Sequence, residues 1–171
     1  MKLHVLTAVT RPENLDRIGQ SLGDAITASE GFVDVCWHLR FDLEQWHVGG
    51  QKLKNDMLDE ITDGWVWILD DDTKVHPQLF ERLRDKLTVH PAVDALVVSQ
   101  KRSDGGILLA ARANVKVTLI DIGQAIMRRD LIGDERIPID YSGDGMFLET
   151  VLAGADVIFV NDVLSLHNAL R

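Results

Sequence analysis

Apolar residues fall along the chain in short blocks of two kinds. Leu3–Ala8 (LHVLTA), Phe32–Leu39 (FVDVCWHL), Trp65–Leu69 (WVWIL) and Val93–Ser99 (VDALVVS) are compact runs, β-branched or aromatic in character, and predict strands. WVWIL is apolar throughout, as a central strand covered on both faces must be. Between these runs the spacing changes to that of a helix. Pro12–Ser29 places Leu15, Ile18, Leu22, Ala25 and Ile26 on one side, with Pro12 suited to a first turn. Gly50–Thr62 does the same with Leu53, Met57, Leu58 and Ile61, and Pro77–Leu87 with Leu79, Phe80, Leu83 and Leu87. Gly105–Ile122 predicts a β-rich excursion, a hairpin turning near Ala113–Asn114. Gly123–Met127 leads into a turn or short helix at Arg128–Ile132. Ser142–Leu152 predicts an amphipathic helix and Val157–Val160 a last strand. Strand–helix alternation of this kind predicts a three-layer α/β/α sandwich with a mostly parallel central sheet. No linker, repeat or low-complexity tract divides the pattern, so residues 1–171 are expected to form a single domain.

Composition narrows the partners. A chain of 171 residues can bury roughly 70% of its unfolded surface and needs no staple. The net charge of −9 argues against nucleic acid or an anionic membrane surface as partner, since both reward cationic faces. The lone Cys36 has no intrachain partner for a disulfide, which suits a reducing compartment. The apolar run at the N-terminus is too short and interrupted for a signal peptide, and no stretch approaches the ~20 apolar residues of a transmembrane segment. A cytoplasmic protein with no transmembrane segment is the expectation.

The densest chemistry is Asp70, Asp71 and Asp72, directly after WVWIL. In open α/β sheets ligands bind beyond the carboxyl ends of the strands, where these acids fall. Adjacent carboxylates repel one another unless a cation compensates, and hard oxygen ligands select magnesium, manganese or calcium. On an extended chain Asp70 and Asp72 point to one side and can share a metal. The plainer reading is a solvated turn with Asp72 or Thr73 capping the next helix.

Taken in order, the motifs resemble the GT-A glycosyltransferases, in particular the large family-two group of inverting, nucleotide-sugar-dependent enzymes. LTAVTRPEN (Leu6–Asn14) resembles the first strand and its Thr/Asn/Arg loop. GGQKLKN (Gly49–Asn55) resembles the Gly loop and the basic–Asn pair heading a helix. Asn55 precedes Asp70 by 15 residues, the family spacing to the DxD signature, whose two acids fall on Asp70 and Asp72. IDIGQAIMRRDLI (Ile120–Ile132) is similar to the acceptor-side segment. GDGMFLETVLAGADVIFV (Gly143–Val160) is similar to the helix that opens on an acidic dipeptide, with Gly143 in place of the usual Glu.

The resemblance implies a divalent metal, manganese or magnesium, held by Asp72 and by His167, with Asp70 and Asp71 toward the nucleotide. Thr10, Arg11, Lys54 and Asn55 would line the donor pocket, Arg11 and Lys54 as phosphate partners. Asp144 matches the catalytic base that takes the acceptor's proton, with Asp140 and Glu149 as neighbouring acids. As plain residues, Lys54 and Arg11 could be solvated charges, Asn55 a helix-start residue and Asp144 a first-turn acid favoured by the helix dipole. Trp46 is the tryptophan placed to stack on a sugar. The donor would be a nucleoside-diphosphate sugar and the acceptor a glycan, small molecule or protein. Beside this family the sequence is short and holds no long C-terminal lid, so the expectation is an acceptor site that is open or completed by another subunit, as in a homo-oligomer. Two other readings compete. WILDDDTKV also resembles the first motif of haloacid-dehalogenase-like phosphatases, with Asp70 as nucleophile and Asp72 as acid–base. A GT-A domain could also bind nucleotide or glycan without turnover.

Overall fold

The computed structural model describes residues 1–42 and 50–170, so Trp46 and Gly49 lie outside the described residues. Strand β1 (Lys2–Val9) is followed by α1 (Leu15–Ala28), β2 (Asp34–Phe41), α2 (Gln51–Glu60), β3 (Trp65–Ile68), β4 (Lys74–Val75) and α3 (Leu79–Val89). Then come β5 (Ala95–Arg102), β6 (Ile107–Leu108), β7 (Ala125–Arg128), α4 (Arg129–Ile132), α5 (Gly143–Val151) and β8 (Val157–His167). One sheet runs β2-β1-β3-β7-β5-β8-β4, with β6 paired to the outer end of β5.

The expected α/β sandwich is present, and its layering follows from side-chain alternation. In β3, Trp65 and Trp67 enter one apolar core together with Leu3 and Val5 of β1 and with Ile18, Leu22, Leu79, Phe80 and Leu83 from α1 and α3. Val66 and Ile68 enter the opposite core with Leu6, with Met57 and Leu58 of α2, and with Phe147, Leu148 and Val151 of α5. A strand buried on both faces has no polar position to offer, hence the unbroken WVWIL.

Strand directions decide where the site lies. β1, β2 and β3 are mutually parallel, β7 is antiparallel to both β3 and β5, and β8 is parallel to β5. The five strands β1, β2, β3, β5 and β8 therefore share one direction, and β4, β6 and β7, all short, run against them. The carboxyl ends of β1, β3, β5 and β8 line one edge of the sheet. The chain entering β7 arrives at that same edge because β7 is reversed.

Two expectations are corrected. Residues 105–122 do not form a hairpin about Ala113–Asn114. Before a 3-10 turn that begins at Ile122, they contribute β6 and another 3-10 turn at Arg112–Asn114. Side chains hold this segment in place of a strand ladder: Arg112 donates to Leu152 O and Ala155 O and stacks on Phe159, and Asn114 donates to Leu109 O. The last strand also does not stop at Val160. Two register shifts against β5, on either side of Ser99, carry it on to His167.

At the outer strands, His4 Nδ1 and His38 Nε2 lie 2.9 Å apart, so one neutral ring donates to the other. Burial holds both imidazoles below their ordinary range; the charge of the neighbouring ring adds to this at His4, whereas Glu60 partly opposes it at His38. Unfolded histidines take protons near pH 6.5, so the unfolded chain binds more protons than the folded one below that value. Stability from this pair is present above about pH 6.5 and is lost as pH falls. Urea denaturation at pH 7.5 and 5.5 is expected to show a smaller acid loss for His38→Gln than for the parent. An equal loss in both would clear the pair of any part in it.

Candidate functional site

A cleft of about 620 Å³ opens at the carboxyl edge, lined among others by Arg11, Asp70, Asp121, Asp144 and His167. Five segments of the chain each bring one of these residues to the cleft. The loop after β1 brings Arg11, the end of β3 brings Asp70, the approach to β7 brings Asp121, the first turn of α5 brings Asp144 and the end of β8 brings His167.

Asp70, Asp121 and His167 offer ligand atoms that all lie within 4.8 Å of one another. Two carboxylates and an imidazole are a fitting set for manganese or magnesium. His167 Nδ1 is buried without a hydrogen-bond partner and lies 3.8 Å from Asp121 Oδ2, a separation at which the two could share a cation. Asp121 is fixed by a capping box. Its Oδ1 accepts from Gly123 N at 2.9 Å and its own N–H donates to Gln124 Oε1 at 2.9 Å. Burial, with the charge of Asp70 beside it, raises the Asp121 carboxyl above its ordinary range.

Asp72 does not join this group. Asp70 and Asp72 would share a side only on an extended chain, and here Thr73 N donates to Asp70 O at 3.1 Å, which bends the segment into a turn. Asp72 is consequently buried, its Oδ2 3.1 Å from Arg11 Nη1. Asp71 turns back onto the first loop, accepting from Thr10 N at 2.5 Å, Thr10 Oγ1 at 2.8 Å, Arg11 N at 2.6 Å and the Arg11 guanidinium. Asn14 Nδ2 donates to Asp71 O at 3.0 Å. The middle acid thus clamps the loop that carries Thr10 and Arg11.

Lys54 faces inward. Its side chain is 2% exposed, and Nζ lies 2.8 Å from Asp70 Oδ1 and 3.9 Å from Asp144 Oδ1. Burial alone would lower its pKa, but the two carboxylates outweigh burial and raise it. In return, although burial favours the neutral acid, Lys54 holds Asp70 below the usual carboxylate range. Asn55 ties the segment before α5, donating to Ile137 O and accepting from Ile137 N, both at 2.9 Å. It therefore fixes a loop and does not project into the cleft.

Asp144 stands in the first turn of α5 with its carboxyl a quarter exposed and Oδ1 without a hydrogen-bond partner. Burial, reinforced by the charges of Asp70 and Asp121 and opposed by Lys54, pushes it up to about 6. The glycine before it has a steric cause: a Cβ at Gly143 would collide with the carbonyl oxygen of Pro138, so a Glu there would force the backbone of that segment to move. The other acids near α5 lie elsewhere, with Asp140 accepting from Ser142 N and Oγ, and Glu149 accepting from Val117 N.

Asp121 is the site residue that the sequence reading missed. Its signal was present in IDIG, an acid two residues before a glycine at the head of an apolar run, but only the reversed direction of β7 brings that acid to the carboxyl edge.

No protein-family model and no curated protein matches the sequence. Solved structures do. TarS 1–349 of S. aureus is similar over 98% of this chain and 60% of its own, at 16% identity and a TM-score of 0.75. The mannosyltransferase PcManGT from Pyrobaculum calidifontis, in complex with GDP-Man and Mn2+, is similar over 98% of this chain and 56% of its own, at 16% identity and TM-score 0.67. A glycosyltransferase involved in glycosylation of the major capsid of PBCV-1 covers 98% and 92%, at 12% identity and TM-score 0.52. The chain spans about 60% of the length of TarS 1–349, which also has a structure in complex with UDP-GlcNAc. Among the described residues no helix is long and apolar enough to cross a membrane. At these identities the likeness is one of architecture, and the chain has the fold of glycosyltransferases.

Proposed function

We propose that the protein is a divalent-metal-dependent glycosyltransferase of the GT-A, family-two type, moving a sugar from a nucleoside-diphosphate sugar to an acceptor hydroxyl with inversion. The observation that carries this reading is the convergence of Asp70, Asp121 and His167 with Asp144 in one cleft. A manganese or magnesium ion on those three ligands would act as a Lewis acid toward the departing diphosphate.

The remaining work belongs to this chain's side chains. Asp144 takes the proton of the acceptor hydroxyl as that oxygen attacks the anomeric carbon from the face opposite the diphosphate. A carboxyl near 6 is ionised at neutral pH yet basic enough to help. Among the described residues Asp144 is also the cleft acid outside the ligand group, which suits a single displacement with one base. Lys54 keeps Asp70 ionised and holds it beside Asp144. The clamp of Asp71 on Thr10 and Arg11 fixes the loop where the nucleotide would enter, with Asp72 reinforcing Arg11. This supporting role for Asp72 replaces the direct ligand role suggested by its position in the motif. Burial of Asp72 against Arg11 also disfavours the phosphatase reading, which needs that acid open beside Asp70.

Calorimetric titration of UDP and GDP, with and without manganese, tests the assignment. One of the two is expected to bind only with the metal, and a chelator to abolish binding. Asp70→Asn and His167→Ala should each weaken it by at least about tenfold, since even supporting groups at metal sites carry 10–100-fold effects. Metal-independent binding of equal strength would sink the metal role. Tight binding without turnover of any donor, hydrolysis by water included, would favour the non-catalytic reading.

A further inference from the structure

Among the described residues, Arg11, His167 and Arg102 are the cationic or potentially cationic side chains that line the cleft. The Arg11 guanidinium is held by Asp71 and Asp72, and His167 belongs to the ligand group. Arg102 is differently placed. It is the last residue of β5 and the register partner of His167 on parallel β8. Register partners leave a sheet on the same face, and both side chains line the cleft.

The ion-pair partner of Arg102 is Asp104, with Nη2 and Oδ2 3.2 Å apart and the two side chains 50% and 60% exposed. Asp104 sits in the turn that leaves β5, its Oδ1 accepting from Gly106 N at 2.9 Å. A pair so exposed to water holds its members weakly. The guanidinium is therefore available to a better anion entering the cleft.

We infer that Arg102 binds the diphosphate of the donor and meets the charge that appears on it as the sugar leaves. This rests on the nucleotide-sugar reading above. In the transfer the acceptor oxygen forms a bond to the anomeric carbon while the bond from that carbon to the diphosphate oxygen breaks. The electron pair stays on the diphosphate and the acceptor's proton passes to Asp144. The diphosphate thereby goes from two negative charges in the intact ester to three in the leaving group. A guanidinium offers two parallel N–H donors to phosphate oxygens, a geometry that an ammonium cannot match. Arg102 therefore favours the free nucleoside diphosphate over the intact sugar ester.

The test is calorimetry with UDP and GDP in the presence of manganese, on the parent, Arg102→Gln, Arg102→Lys and Asp104→Asn. Arg102→Gln is expected to weaken diphosphate binding roughly ten- to a hundredfold, the loss of charge-assisted hydrogen bonds, with Arg102→Lys in between. Manganese binding alone and thermal stability should stay at parent values. Asp104→Asn should tighten diphosphate binding in the parent and leave it unchanged in the Arg102→Gln background, because it acts by releasing the guanidinium. Equal diphosphate affinity of Arg102→Gln and the parent would overturn the role of Arg102 and leave the nucleotide-sugar reading standing. A parent that binds neither diphosphate with manganese would overturn both.

Discussion

Lys54→Met is expected to lower the unfolding free energy by about 3–5 kcal/mol, the usual penalty for breaking a buried ion pair from one side. Methionine reproduces most of the aliphatic stem, so the loss comes from the charge. Lys54 is 2% exposed and its ammonium is the close partner of Asp70 at 2.8 Å. Without it, Asp70 and Asp144 face each other and Asp121 in a site where burial already penalises their charge. Adding Asp70→Asn to Lys54→Met should recover much of the loss, because it removes the carboxylate left without its counter-ion. Urea denaturation of the two single variants and the double variant reads the coupling directly. If Lys54→Met were as stable as the parent, Lys54 would not be what keeps Asp70 ionised, and the electrostatic frame of the cleft would need another source.

Much of this frame was legible from residue pattern. WVWIL announced a strand covered on both faces, and the acids after it fall at the carboxyl edge where ligands bind in such sheets. Asp144 and His167, far apart in sequence and expected at the site from the family resemblance, meet Asp70 in one cleft. What pattern could not show was local chain direction. Alternation assigned Asp70 and Asp72 to one side, whereas a turn at Asp70–Thr73 sends Asp72 onto Arg11 and leaves Asp70 for the ligand group. Asp121 escaped notice because a four-residue strand running against its neighbours carries too little periodicity to reveal its direction. Lys54 was expected in the donor pocket as a phosphate partner, with a solvated charge as the plainer alternative; nothing in QKLKN tells that it is buried against Asp70 while Lys52 pairs with Asp56 in solvent. Gly143, a departure from the acidic dipeptide by sequence, is required by the carbonyl of Pro138.

Asp144→Asn is expected to reduce turnover by roughly 10²–10⁴-fold, the range for loss of a general base. Asparagine keeps the size and the polar contacts of the side chain but has no basic oxygen to accept a proton from the acceptor hydroxyl. The base touches the acceptor and not the diphosphate, so donor and manganese affinity should change little, and the loss should lie in kcat. Slow hydrolysis of the donor by water reports the same step where the acceptor is unidentified. The pH profile offers a second, independent reading. Asp144 works ionised, so the parent rate should fall on an acid limb set by its carboxyl, which burial and the neighbouring carboxylates place at about 6 in the metal-free cleft and a bound cation draws below that. In the Asn variant the residual rate should lose this limb. Donor affinity falling together with rate would make Asp144 part of the donor pocket. Unchanged turnover would pass the base role to another acid, Asp140 or Glu149, which accept from Ser142 and Val117 here.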